Sequence, residues 1–102
     1  MPVPELRVGD FVQYRNGSRI RARICQRWDA SPYNDRQLET MVHLDEHPMR
    51  FANVPWVEVL EHNTPRYTTI VPADLLEKIE PFRIKNTYAA YYFTDEWTSP
   101  VR

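Results

Sequence analysis

The run from Arg19 to Trp28 constrains the fold most, because it alternates as a half-buried strand does. Ile20, Ala22, Ile24 and Trp28 fall on one face, with Gln26 the exception, while Arg19, Arg21, Arg23, Cys25 and Arg27 fall on the other. A period of two is the signature of a strand with one face in the core and one in water. Just before it, Val8-Gly9-Asp10-Phe11-Val12-Gln13-Tyr14 reads as a second strand, and Asn16-Gly17 is the strongest short turn signal in the chain. Together they predict an antiparallel hairpin whose outer face is lined with arginine.

Two registers are open to this hairpin. A two-residue loop at Asn16-Gly17 pairs Asp10 with Arg23 and sets Phe11 beside Ala22. A three-residue loop over Asn16, Gly17 and Ser18 pairs Val12 with Ala22 and Tyr14 with Ile20. A slip of one residue turns every side chain to the opposite face. The three-residue loop is preferred, since it buries Val12 and Tyr14 and leaves Gln13 in water.

Further along, turn residues make 30–37 a loop. Residues 38–45 alternate again, with Leu38, Thr40, Val42 and Leu44 inward. Residues 53–61 read as a strand whose start Pro55 demotes to an edge or bulge, and 66–71 is rich in β-formers. Residues 72–79 carry proline first and an acid soon after, which predicts one or two helical turns closed by Pro81. Phe82 to Lys85 can form a last short strand. The expected fold is therefore mostly β, a small barrel of five or six short antiparallel strands. Its core is expected to hold Val12, Ile20, Ala22, Ile24, Val42, Leu44 and Leu75. The barrel is expected over 1–86, with an enlarged connection at 46–70 and an aromatic C-terminal arm over 87–102.

Nine prolines against two glycines in 102 residues suit short, punctuated strands. A chain of this length holds one domain with one modest core. No apolar run approaches the roughly 20 residues that a helical membrane span needs. Met1-Pro2-Val3-Pro4-Glu5 has neither the basic nor the apolar part of a secretory signal. The single cysteine excludes an internal disulfide framework and suits a reducing compartment, so a cytoplasmic protein is expected.

The order of short strands with one helical turn before the last resembles an SH3-like small barrel, most nearly its Tudor branch. Three segments carry the resemblance: the glycine-aspartate step into Phe11-Val12-Gln13-Tyr14, the small-x-aliphatic triplet Ala22-Arg23-Ile24, and Val71-Pro72-Ala73-Asp74-Leu75-Leu76. It spans roughly residues 7–45 and 70–84 and implies a barrel with a binding role. The third strand ends Leu44-Asp45-Glu46-His47-Pro48, without an aromatic before Phe51, so the resemblance does not extend to the ligand cage of that branch.

Chemistry-bearing residues are few. His43 and His47 stand four apart, which converges on a helix but not across a strand and its turn, so no metal is expected. Cys25 is the one thiol, no sequence logic pairs two carboxylates in a cleft, and no glycine-rich phosphate loop is present. No catalytic residue and no cofactor are expected. The distinctive feature is the stripe Arg19, Arg21, Arg23 and Arg27. Alternate strand positions repeat at roughly 7 Å, near the phosphate spacing of a nucleic-acid strand. Charge is uneven, +3 over residues 1–36, −5 over 37–80 and +1 beyond, for a net −1. An acidic body argues against a dedicated nucleic-acid binder, and acids across the sheet can neutralise the stripe.

The second feature is the tail, where residues 88–97 hold Tyr88, Tyr91, Tyr92, Phe93 and Trp97, five of the thirteen aromatics. Its spacing suits a helix face or a strand face, and it can cap its own barrel or dock outward. Outward docking, on another protein or on a second copy of this chain, is favoured, because tyrosine and tryptophan are common at interface hot spots. The expected function is a non-enzymatic protein-interaction or assembly module of the kind found among accessory and viral proteins. The candidate contact residues are Arg19, Arg21, Arg23, Arg27, Tyr91, Tyr92, Phe93 and Trp97. The alternative is a nucleic-acid-binding domain using the arginine strand.

Overall fold

In the computed structural model, which describes residues 5–41, 48–64 and 68–98, the hairpin is the centre of the molecule. Strand β1 (Phe11–Tyr14) pairs with β2 (Arg21–Trp28) so that Val12 faces Ala22. Tyr14 N–H donates to Ile20 C=O at 2.9 Å. This is the register of the preferred loop, and Val12 is fully buried while Gln13 is not. At the tip, Asn16 Oδ1 accepts the Ser18 N–H at 3.0 Å. The left-handed position falls on Arg19 (φ 51°), two residues beyond the glycine of the turn signal. Ahead of β1, Arg7 to Asp10 makes a tight turn closed by Asp10 N–H to Arg7 C=O at 3.0 Å. Gly9 takes φ 95° there, a conformation that glycine adopts without steric cost.

Strands β3 (Trp56–Glu61), β4 (Thr69–Pro72) and β5 (Leu76–Lys78) complete an antiparallel sheet of order β4-β3-β2-β1-β5. Its two edge strands follow one another in the chain, separated only by a 3-10 turn over Ala73–Leu75. Three residues of 3-10 helix advance about 6 Å, whereas the edges of a flat five-stranded sheet stand about 19 Å apart. The sheet must therefore curl. Its concave face gathers Val12, Ala22, Ile24, Val57, Val59, Val71 and Leu76 into one cluster with Leu6. The sheet remains open, for among the described residues β4 and β5 do not pair.

Several expectations are corrected. Ile20 is 39% exposed at the hairpin tip, outside the core. Leu75 only flanks the core cluster, partly buried. Leu38 lies on a helix, α1 (Asp35–Glu39), and not on a strand. Asn34 accepts the Gln37 N–H at 2.8 Å and Gln37 returns the bond at 2.9 Å, a capping box that starts the helix. Leu38 packs with Phe51 and Trp56 on the convex side of the sheet. Val42, Leu44, His43 and His47 lie outside the described residues. Phe82 to Lys85 is not a strand; the last strand among the described residues is β5, formed where helical turns were expected to continue.

The largest correction concerns β2. Its pairing with β3 shifts between Ile24 and Gln26, a bulge at Cys25. Beyond a bulge the face assignment inverts. Arg27 comes opposite Val57 and Trp28 opposite Trp56. Trp28 thus joins the convex cluster around Trp56, and Arg27 turns to the concave side.

Candidate interaction surface

On the convex face, β1 and β2 set Phe11 beside Arg23 as cross-strand partners. Arg23 is 7% exposed. Its guanidinium lies between the rings of Phe11 and Phe93, 4.3 Å from each centroid. Its Nε donates to Gly9 C=O at 2.9 Å, and its two terminal nitrogens fork onto the Asp95 carboxylate at 2.9 and 2.5 Å. A charge so withdrawn from water needs a paired and hydrogen-bonded partner, and Asp95 supplies it. The Arg23 fork in turn holds the Asp95 carboxyl below the usual carboxylate range.

The segment that brings Asp95 begins at Ile79 and crosses the convex face. Phe82 stacks edge-on to Phe11 at 5.2 Å and lies under the Arg21 guanidinium at 4.4 Å. His62, at the end of β3, stands edge-on to Phe82 at 4.8 Å, and its Nδ1 accepts the Lys85 N–H at 3.1 Å. Burial, with Arg21 and Lys85 nearby, lowers its pKa. The buried Asn86 side chain donates to Glu61 C=O and Thr64 C=O and accepts from Tyr88 N–H. It thereby starts the single helical turn α2 (Ala89–Tyr92). Leu60, Ile84, Ala89 and Phe93 form a second buried cluster there. Trp97 closes the end, edge-on to Phe11 at 6.1 Å.

The arginine stripe is therefore not continuous. Arg21 and Arg19 are exposed. Arg23 is buried under residues 93–95, and Arg27 leaves the face through the bulge to pair with Glu5 at 2.9 Å and with Asp29. Arg27 lines a concave-side cavity of about 310 Å³ with Glu5, Leu6, Arg15 and Asp74. The tail packs on its own sheet, against the outward docking favoured from sequence, because Phe93, Asp95 and Trp97 find partners on Arg23 and Phe11. Phe93 is buried and Trp97 half-buried, but Tyr91 is 81% and Tyr92 42% exposed. Tyr88 and Tyr91 lie 6.0 Å apart, so the exposed ring has a neighbour.

Asp95, Phe11 and Phe82 belong to this surface and were not singled out from sequence. The available signal was the acidic interruption of an aromatic run in a chain with a basic strand elsewhere. Cys25 donates to Glu58 C=O at 3.3 Å, and burial with the Glu58 charge pushes its thiol up to about 12. Among the described residues no three His, Cys, Asp or Glu side chains converge as metal ligands. Among them, too, no helix is long and apolar enough to cross a membrane.

No family model matches this chain. Searches of curated proteins and of solved structures return no significant match either.

Proposed function

We propose that this chain is a non-enzymatic, SH3-like protein-interaction module, acting in the cytoplasm, that engages its partner through the tyrosine face of α2. The strand order and the 3-10 turn between the two edge strands support the SH3-like reading. So does the position of the three resemblance segments, which fall on the entry to β1, on β2 and on the turn into β5.

The observation that carries the functional reading is Tyr91, the most exposed large apolar side chain described, at 81%. It stands on a turn whose other side is anchored by buried Ala89 and Phe93. A rigid base under an exposed aromatic lowers the ordering cost of binding, which favours tyrosine as an anchor. Nucleic acid is the weaker reading, because burial of Arg23 and the turning of Arg27 leave only Arg19 and Arg21 of the stripe for phosphates. The test is capture from the native host with Tyr91→Ser and Tyr92→Ser together, in the presence of nuclease. The expected result is an unchanged melting temperature with loss of the captured protein. Capture that persists in the double variant, or that nuclease abolishes in the original chain, overturns the reading.

A further inference from the structure

Resting on the reading of the chain as a protein-interaction module, a second site can be named together with the chemistry of its ligand. We propose that the convex-face cleft floored by Phe11, Arg23 and Phe82 recognises an acidic-aromatic segment of a partner protein. That segment has an aspartate with aromatic residues two positions before and two positions after it. Residues 93–97 of this chain, Phe-Thr-Asp-Glu-Trp, occupy the cleft as an intramolecular surrogate.

Three observations carry this. First, the arginine at the floor of the cleft is positioned from outside the occupant. Arg23 Nε is held by Gly9 C=O and its guanidinium is backed by the Phe11 ring, both supplied by the entry to β1 and by β1 itself. The concave core that folds the sheet contains no residue of 79–98. With the surrogate lifted, the two terminal nitrogens still point from a fixed base, preorganised for a carboxylate.

Second, the occupant is bound as a peptide ligand is bound. Residues 93–97 add no strand to the sheet. They are held through the Phe93 ring, the Asp95 carboxylate and the Trp97 indole, while the Glu96 and Trp97 carbonyls accept from the Arg83 guanidinium at 3.1 Å and from Ile84 N–H at 3.3 Å. The Asp95 side chain is 42% exposed although its partner is only 8% exposed. One half of the pair is built in and the other approaches from solvent.

Third, the surroundings favour an acidic ligand. Exposed Arg21 lies over Phe82 at the margin of the cleft, and Arg19 follows at the hairpin tip. A tethered surrogate has an effective concentration in the millimolar range. A partner must therefore bring contacts beyond the cleft.

The test opens the cleft in the full chain with Phe93→Ala and Asp95→Arg combined. The probe is a fluorescent synthetic peptide of sequence YYFTDEWT, followed by anisotropy. The opened variant is expected to bind it at least tenfold more tightly than the original chain. The peptide with Asn in place of Asp, and the opened variant carrying Arg23→Gln, are each expected to lose at least tenfold. A folded, opened variant that binds no better than the original chain, or binds both peptides equally, overturns the proposal. If the opened variant does not fold, the peptide is titrated to millimolar concentration into the original chain, and the Arg23 Nε–H resonance is followed by NMR. A saturable shift supports the site and its absence overturns it. A concentration-dependent dimer of the original chain, with a neighbour's residues 93–97 in the cleft, makes the occupant a second copy and overturns the partner assignment. Because the readout is direct peptide binding, it stands or falls separately from capture through Tyr91 and Tyr92.

Discussion

The Asp95 carboxylate accepts both terminal nitrogens of Arg23 from 72 residues further along the chain, tying the C-terminal segment to the central strand of the sheet. The two partners are unequally buried, so they do not share the consequences of substitution equally. Asp95→Asn leaves a buried guanidinium with a neutral acceptor in place of a charged one. A loss of about 1–3 kcal/mol is expected, from the cost of weakening a charge-assisted bond to a withdrawn group. Chemical denaturation of the two proteins at pH 7 measures it, and a difference under 0.5 kcal/mol would show that water replaces the carboxylate freely.

The same pair sets an acid limb. The folded carboxyl titrates below its ordinary value of 3.8 because Arg23 favours the charged form. Between the two values the unfolded chain binds the proton first. The stabilisation is therefore complete above about pH 4 and is lost as pH falls through the folded pKa. The original chain should lose stability more steeply below pH 4 than Asp95→Asn does, and superimposable acid limbs would contradict the linkage.

Ile24 and Ile20 lie four residues apart on what the sequence presents as one face, but the structure separates them. Ile24 is fully buried in the concave core and Ile20 is 39% exposed. Ile24→Ala is expected to cost about 2–5 kcal/mol, the range for emptying a packed site. Ile20→Ala should cost well under 1 kcal/mol, as for a surface change. Equal losses in denaturant melts would mean that the hairpin register is not the one described.

Alternation made β1, β2 and their register legible, since burial on one face imprints a period of two. What it could not carry was the bulge at Cys25. The sequence records that bulge only as Gln26 breaking the apolar face, and one polar residue has many explanations. Leu38 was misassigned for a related reason. Leu38, Thr40, Val42 and Leu44 repeat at two, yet Asn34 and Gln37 ahead of them form a capping box whose local bonds start a helix first. The candidate site was half legible. Tyr91, Tyr92 and Arg21 are exposed, but Asp95 meets Arg23 only because residues 79–97 fold back over the convex face, a long-range pairing with no local trace.

Arg19 takes a left-handed backbone conformation, φ 51°, at the hairpin tip. That region costs a residue with a Cβ about 1–2 kcal/mol relative to glycine. Its side chain makes no contact that would offset the strain among the described hydrogen bonds, while Asn16 and Ser18 close the turn through their own atoms. Arg19→Gly should therefore stabilise the chain by up to about 1 kcal/mol, reduced by the greater freedom of glycine in the unfolded state. A melting temperature that falls instead would mean that the arginine side chain holds the tip.

His62 supplies the last prediction, a loss of stability in mild acid. The residue is 5% exposed, and its ring stands edge-on to Phe82 and accepts the Lys85 N–H at Nδ1, so its one proton resides on Nε2. Burial, then Arg21 and Lys85, lower its pKa from the ordinary 6.5. In the window below 6.5 the unfolded chain takes up a proton that the folded ring resists. The contribution is thus whole above about pH 6.5 and declines as pH falls towards the folded pKa. One proton limits the slope to about 1.4 kcal/mol per pH unit. Protonation of Nδ1 would turn the acceptor for Lys85 N–H into a donor and add a cation beside two others. The strap at 82–86 should loosen first, as faster amide exchange at Lys85 and Asn86 between pH 7.5 and 5.5, corrected for the intrinsic rate. His62→Gln keeps a hydrogen-bonding side chain but does not titrate. Its stability should be flat across that window, whereas His43→Gln and His47→Gln should retain the slope. A slope that survives in His62→Gln would assign the titration elsewhere.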